Sequence, residues 1–160
     1  ITYFKLQKLF EKKYGTNTVV LMEIGTFLEV YEVNNEEEKI GKAKEIAELL
    51  NIQLTRKNKS ILENSKENPI MAGVPAISFE KHLARIIAEQ KYTIAIIRQK
   101  GTPPNVSRYL DVIVSPGTNF DFVVEQDDNF ITSIVIDQVR GNYLIGYSAI
   151  DVTTAKCYYN

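Results

Sequence analysis

The chain has 160 residues, 44% of them apolar and 24% charged, with a formal net charge of −1 and a sequence pI of about 5.9. This is enough apolar material for one full domain with part of a second; the apolar runs are far too short to span a bilayer, and the charge balance argues against a strongly basic, self-sufficient nucleic-acid module. The single cysteine, Cys157, excludes an internal disulfide framework, and the single histidine, His82, cannot make a metal site by itself.

Residues 2–14 place Tyr3, Leu6, Leu9 and Phe10 at helical spacing with lysines between them, and Gly15 stops the helix. Residues 18–24 and 26–32 read as strands. An acidic loop follows over 34–39, and 42–50 carries Ala43, Ile46, Ala47 and Leu50 on one helical face. A short strand over 52–56 leads into a polar loop, 57–68, expected to be mobile. Residues 70–73 return as a strand, and Ser78 is placed to cap a helix whose stripe is Phe79, Leu83, Ile86 and Ile87. The β-branched run 92–98 reads as a central strand, 101–105 as a Gly/Pro turn, and 109–114 as a further strand ended by Pro116-Gly117. Strands alternating with helices give an α/β fold, a mixed β-sheet flanked by helices. Residues 119–129 read as a linker. Two strands, 131–137 and 143–150, then surround an Arg140-Gly141-Asn142 turn, with a third starting near Ala155.

Gly25-Thr26-Phe27-Leu28-Glu29 is the most informative stretch. In an extended chain Phe27 and Glu29 share one face while Leu28 and Val30 share the other. An aromatic plate and a carboxylate then project together just past a glycine. A flat apolar wedge can enter a destabilised base step while the carboxylate touches a base edge. On composition alone Phe27 reads as a core phenylalanine and Glu29 as an exposed strand carboxylate.

The same stretch resembles the Gly-x-Phe-Tyr-Glu mismatch-reading motif of MutS DNA mismatch repair proteins. Four other segments follow in that family's order: Tyr3-Phe4-Lys5-Leu6-Gln7-Lys8, Ile52-Gln53-Leu54-Thr55-Arg56-Lys57, Pro69-Ile70-Met71-Ala72-Gly73-Val74-Pro75, and Val112-Ile113-Val114-Ser115-Pro116-Gly117-Thr118. The collinear set is specific where no single piece is, and it reverses the bland reading of Phe27. The resemblance implies a mismatch-recognition domain over 1–118, a linker over 119–129 and the beginning of an RNase H-like connector domain over 130–160. It implies that Phe27 stacks on the mispaired base of kinked duplex DNA and that Glu29 hydrogen-bonds to that base. Leu28 stands where the family carries tyrosine. Because Leu28 faces away from Phe27 and Glu29, altered packing is expected rather than loss of the reader.

Further expectations follow from the resemblance. The DNA would be double-stranded, with mismatches or small loops. Arg56, Lys57 and Lys59 are candidate backbone contacts, with a solvated strand end an equal alternative. Gly25, Gly73 and Pro75 are assigned structural roles, the last two shaping a tight exit from a strand. No Gly-x-x-x-x-Gly-Lys-Ser/Thr loop occurs, so ATP and Mg²⁺ are expected only in a carboxy-terminal ATPase domain of a longer parent. That parent would be a homodimer working with a MutL-like partner, without a membrane. Its setting would be intracellular: cytoplasm or nucleoid, or an organelle or virus factory in a divergent branch. The ends of the chain, Ile1 and a strand-like Cys157-Tyr158-Tyr159-Asn160, fit an excised fragment.

Two rival classes remain. An RNase H-like nuclease would use Asp137 and Asp151, since two-metal phosphoryl chemistry needs clustered carboxylates; ordinary strand-end turns are the preferred reading. A protein-interaction module without DNA binding would suit the acidic pI.

Overall fold

The computed structural model describes residues 2–102, 104–118, 130–152 and 154–160. The expected linker, 119–129, lies outside the described residues. The chain divides into two compact units, Ile1–Ser115 and Pro116–Asn160.

The first unit is a mixed sheet flanked by helices, as the sequence pattern predicts. Its elements are α1 (Thr2–Tyr14), β1 (Thr18–Ile24), β2 (Phe27–Asn34), β3 (Lys39–Gly41), α2 (Ala43–Leu50), β4 (Thr55–Arg56), β5 (Ile70–Pro75), α3 (Phe79–Ala88), β6 (Thr93–Lys100) and β7 (Ser107–Val114). The sheet order is β4-β5-β2-β1-β6-β7, with β3 added to β2. Among the described residues only β1 and β6 of this sheet run parallel, and its remaining pairs are antiparallel. One face of the sheet packs on α2 and α3, where Ala43, Ile46, Ala47 and Leu50 of α2 and the α3 stripe are buried as expected. The other face packs on α1 through Tyr3, Phe4, Phe10, Val20, Met22, Val33, Ala95 and Ile97.

The α1 stripe differs from expectation. Leu9 is 56% exposed, whereas Phe4 and Gln7 point inward. The cause lies in the sheet. β1 pairs with β2 only over Met22–Ile24, and β3 takes up β2 again at Glu32. Glu32 also pairs with Ile70 of β5, so β1 and β3 share the opposite edge of β2. This leaves the start of β1 with an open edge, and α1 closes it. Gln7 Nε2 donates to Thr18 O at 2.8 Å, Val20 N donates to Gln7 Oε1 at 2.9 Å, and Tyr3 Oη donates to Val20 O at 2.9 Å. A polar residue in the core is tolerated because it satisfies buried backbone groups.

Other expectations also shift. The strand expected over 52–56 is confined to Thr55–Arg56. The 57–68 loop is folded around buried Asn68, which accepts from Asn58 N and donates to Ile61 O and Glu63 O. Ser78 makes no side-chain cap; a single 3-10 turn, Ala76–Ser78, precedes α3, and the Ser78 hydroxyl donates to Pro75 O.

The second unit holds β8 (Phe130–Val139), β9 (Asn142–Asp151) and β10 (Cys157–Tyr159), an antiparallel meander in the order β10-β9-β8. Every residue of β8 is exposed, including Ile134, Val135 and Ile136. Asp151 is opposite Phe130 across the ladder, so Asp137 sits seven residues along β8, roughly 24 Å away. A two-metal pair needs carboxylates around a few ångströms of space, and these two do not supply it. Among the described residues no cluster of three His, Cys, Asp or Glu side chains could hold a metal. Among the described residues no helix is long and apolar enough to cross a membrane.

Candidate nucleic-acid interface

The site is built on the turn between β1 and β2. Met22↔Glu29, Glu23↔Leu28 and Ile24↔Phe27 are paired, leaving Gly25-Thr26 as a two-residue connection. Gly25 has φ +60, the positive first central residue that a type II′ hairpin requires. Any other residue would be strained there.

From this turn β2 alternates faces as the sequence pattern predicts. Phe27 is 44% exposed, Leu28 and Val30 are fully buried, and Glu29 and Tyr31 are half-buried on the Phe27 side. Leu28 and Val30 line the α2/α3 core together with Leu21, Ile46 and Val74. The leucine at position 28 therefore costs the Phe27/Glu29 face no side chain.

Glu29 is held from two directions. The Tyr31 hydroxyl donates to Glu29 Oε2 in a short contact. Tyr31 in turn packs edge-on against Tyr3, with ring centroids 4.8 Å apart. Burial, then the bond to Glu29, pushes the Tyr31 hydroxyl well above its ordinary range, so it stays a donor. On the other side Gly73 of β5 pairs with Glu29. A Cβ at Gly73 would lie 3.2 Å from Glu29 Cγ and 3.2 Å from Leu28 O. Gly73 is thus a mid-strand residue that clears space for Glu29, not part of the strand exit assigned to it from sequence. Pro75 does end β5, and the chain then turns through Ala76–Ser78.

The basic candidates are placed differently from one another. Arg56 Nη1 donates to Ile61 O and Leu62 O, so part of its guanidinium pins the 57–68 loop. Lys57 lines a cleft floored by Met22, Ile24 and Tyr31, and shares its rim with Lys66 and Arg108. Lys59 is exposed on the loop. Lys66 and Lys8 both pair with Glu38, at 2.6 and 2.5 Å, and hold its carboxyl below the usual range. Lys57 therefore shares a cleft with Tyr31, the residue whose hydroxyl donates to Glu29, and Lys59 is not among the residues that line that cleft. Sequence reasoning missed Tyr31, Arg108 and Gln99. Tyr31 carried a legible signal, because it is two residues beyond Glu29 on the same face; Gln99 and Arg108 come from distant strands and carried none.

The hairpin tip also carries apolar surface. Ala76 N donates to Thr26 O at 2.8 Å, seating the 3-10 turn against the hairpin. Ile77, next in that turn, is 99% exposed. His82 lines the α2/α3 core with its Nδ1 unpartnered among the described residues. Burial, then Lys81 and Arg85, holds it below the ordinary histidine range.

An α/β unit that offers an aromatic ring and a carboxylate from one strand, just past a glycine turn, is a presentation scaffold for a planar ligand edge. The family model of MutS domain I matches residues 5–123, and the chain belongs to that family. Relatives include a mutS homolog of Acanthamoeba polyphaga mimivirus, 28% identical over 159 residues, covering 95% of this chain and 14% of the relative. The DNA mismatch repair protein MutS of Halothermothrix orenii is 28% identical over 148 residues, covering 89% of this chain and 15% of its own length. The protein of the same name from Chlorobium phaeobacteroides is 29% identical over 156 residues, covering 94% of this chain and 16% of its own length. The chain spans a small fraction of the curated relatives it matches.

Proposed function

We propose that this chain is the mismatch-recognition module of a MutS-like DNA mismatch repair protein, and that Phe27 wedges against the mispaired base while Glu29 hydrogen-bonds to it. The observation that carries the reading is the half-exposed Phe27 ring at the hairpin tip, with Glu29 on the same face of β2. A core phenylalanine would be buried like its neighbour Leu28. Unstacking a base costs a few kcal/mol and costs least where pairing is already defective, and bending is easier there too. A wedge can therefore sense a fault without reading sequence. Glu29 adds repulsion toward phosphates and so serves discrimination rather than affinity.

The net charge of −1 supports a division of labour in which most DNA affinity resides elsewhere in a longer parent. Lys57 and, with its remaining donors, Arg56 are the proposed backbone contacts, and Lys59 a peripheral one. The parent is read as a dimeric, DNA-dependent ATPase whose ATP and Mg²⁺ bind a carboxy-terminal domain, acting inside the cell with a MutL-like partner. The 130–160 meander is read as the start of an RNase H-like connector domain; the uncovered Ile134, Val135 and Ile136 support this, since such a meander needs packing partners to be stable.

The test is Phe27→Ala in the full-length parent, titrated with a duplex carrying one G·T mispair and its matched counterpart at one salt concentration. Loss of stacking should remove about 1–3 kcal/mol, by analogy with base–aromatic stacking on single strands, and the loss should fall on the mispaired duplex. An unchanged preference returns Phe27 to a packing role and defeats the reading.

A further inference from the structure

The β1–β2 pairing beside the tip is only three residue pairs long, and a short two-stranded hairpin is marginal on its own. Phe27 nonetheless has to press on a base stack without yielding, so the tip must be held from outside. On the β5 flank Phe27 pairs with Pro75 at the end of the β2–β5 ladder, and Ala76 N donates to Thr26 O just beyond it, so β2 is held on that side and the turn glycine is the part left to be held from β6. On the β6 flank the hold is one side chain. Gln99 Nε2 donates to Gly25 O at 2.9 Å, and Gly25 N donates to Gln99 Oε1 at 3.3 Å. The Gln99 side chain thus mimics a strand partner for the turn glycine, continuing past the last β1–β6 pair, Met22↔Ile97. Its own position is set by Gln99 N donating to Glu23 Oε2 at 3.0 Å, and Glu23 faces Arg98 at 4.0 Å.

We propose that Gln99 is a positioning residue for mismatch recognition: its two hydrogen bonds to Gly25 fix the tip so that Phe27 meets the base stack at a set depth and angle. This rests on the reading of Phe27 as the wedge. A wedge mounted on a loose tip spreads over many poses, and the penalty falls on the bound form that needs one pose. Matched DNA, which the wedge does not enter, is indifferent to it.

The experiment uses the full-length parent and the G·T and matched duplexes, comparing Gln99→Met, Gln99→Glu and Phe27→Ala. Methionine keeps length and bulk and removes both bonds; glutamate keeps the acceptor for Gly25 N–H and removes the donor to Gly25 O. For Gln99→Met the preference for the mispaired duplex should fall about tenfold, equivalent to about 1.4 kcal/mol, with matched-duplex affinity and melting temperature held. Backbone amide exchange at Gly25 and Thr26 should quicken while that of Val19 to Leu21 does not change. Gln99→Glu should lose part of the preference, and it decides the matter if Gln99→Met does not fold. Wild-type preference in a folded Gln99 variant, alongside a Phe27→Ala protein that has lost it, overturns the positioning role alone. If Phe27→Ala keeps its preference, the wedge reading itself has failed.

Discussion

The hydroxyl of Tyr31 donates to the carboxylate of Glu29, two residues back on the same face of β2. The bond gives Glu29 a fixed orientation before any ligand arrives, and a preorganised acceptor loses less entropy on binding. It also occupies one carboxylate oxygen, leaving the other for a ligand donor.

Tyr31→Phe isolates that orientation. The ring still packs on Tyr3, so stability should change by about 1 kcal/mol or less, the net worth of one hydrogen bond. In the parent, preference for a mispaired duplex should fall by a few-fold while matched-duplex affinity stays constant. Parallel titrations and a urea midpoint decide it; a large stability loss with unchanged preference would place Tyr31 in the core alone.

Glu29→Ala separates a base reader from a generic contact. Removing an anion near phosphates lessens repulsion, so matched-duplex binding should hold or rise. The mispaired complex gains that relief too but loses a hydrogen bond, so discrimination falls even where total binding improves. Equal losses on both duplexes, with circular dichroism unchanged, would make Glu29 a structural support.

At Gly73 the expected outcome is steric. A valine there meets Glu29 Cγ and Leu28 O, both at 3.2 Å from its Cβ. Overpacking of this kind costs about 1–3 kcal/mol, read as a lowered urea midpoint, and it displaces Glu29. A fully stable Gly73→Val chain would show that the strand pair opens without cost.

Gln7→Leu tests the closure of the sheet by α1. The leucine fills the space but leaves Val20 N–H and Thr18 C=O without their partners. Each buried orphan costs about 1–3 kcal/mol, so this apolar substitution in a core should destabilise. A gain in stability on urea titration would mean water reaches the β1 edge.

His82 gives the first unit an acid dependence. Its folded-state pKa lies below the unfolded value, so the unfolded chain binds the extra proton first as pH falls. Its contribution is fully present above the unfolded pKa, about 6.5, and is lost as pH falls through the folded pKa. His82→Gln should flatten the stability profile below that pH, measured by thermal melts across a pH series.

Much of this was legible in the sequence because it follows local periodicity. The α2 and α3 stripes and the alternation at Phe27, Leu28 and Glu29 each depend on a few neighbouring residues. Gln7 was not legible: a polar residue reads as exposed until the splitting of β1 from β2 reveals buried backbone groups that need it. Gly73 was misread for a similar reason, since a close approach between strands leaves the same mark in sequence as a turn. The partnership of Gln99 with Gly25 has no sequence signature, because the two are 74 positions apart and meet only across β6.

That separation governs the order in which the molecule assembles. The Gly25-Thr26 turn can form within microseconds, as short hairpins do, yet β1 cannot pair with β6 until two helices and four intervening strands have been gathered in. Closing so distant a contact is the slow event in a chain of this topology. A nascent chain emerging from the ribosome exposes Phe27 well before Gln99 has been made. The aromatic tip therefore spends its earliest moments as an unrestrained, sticky hairpin, and its fixed pose arrives as one of the last products of folding.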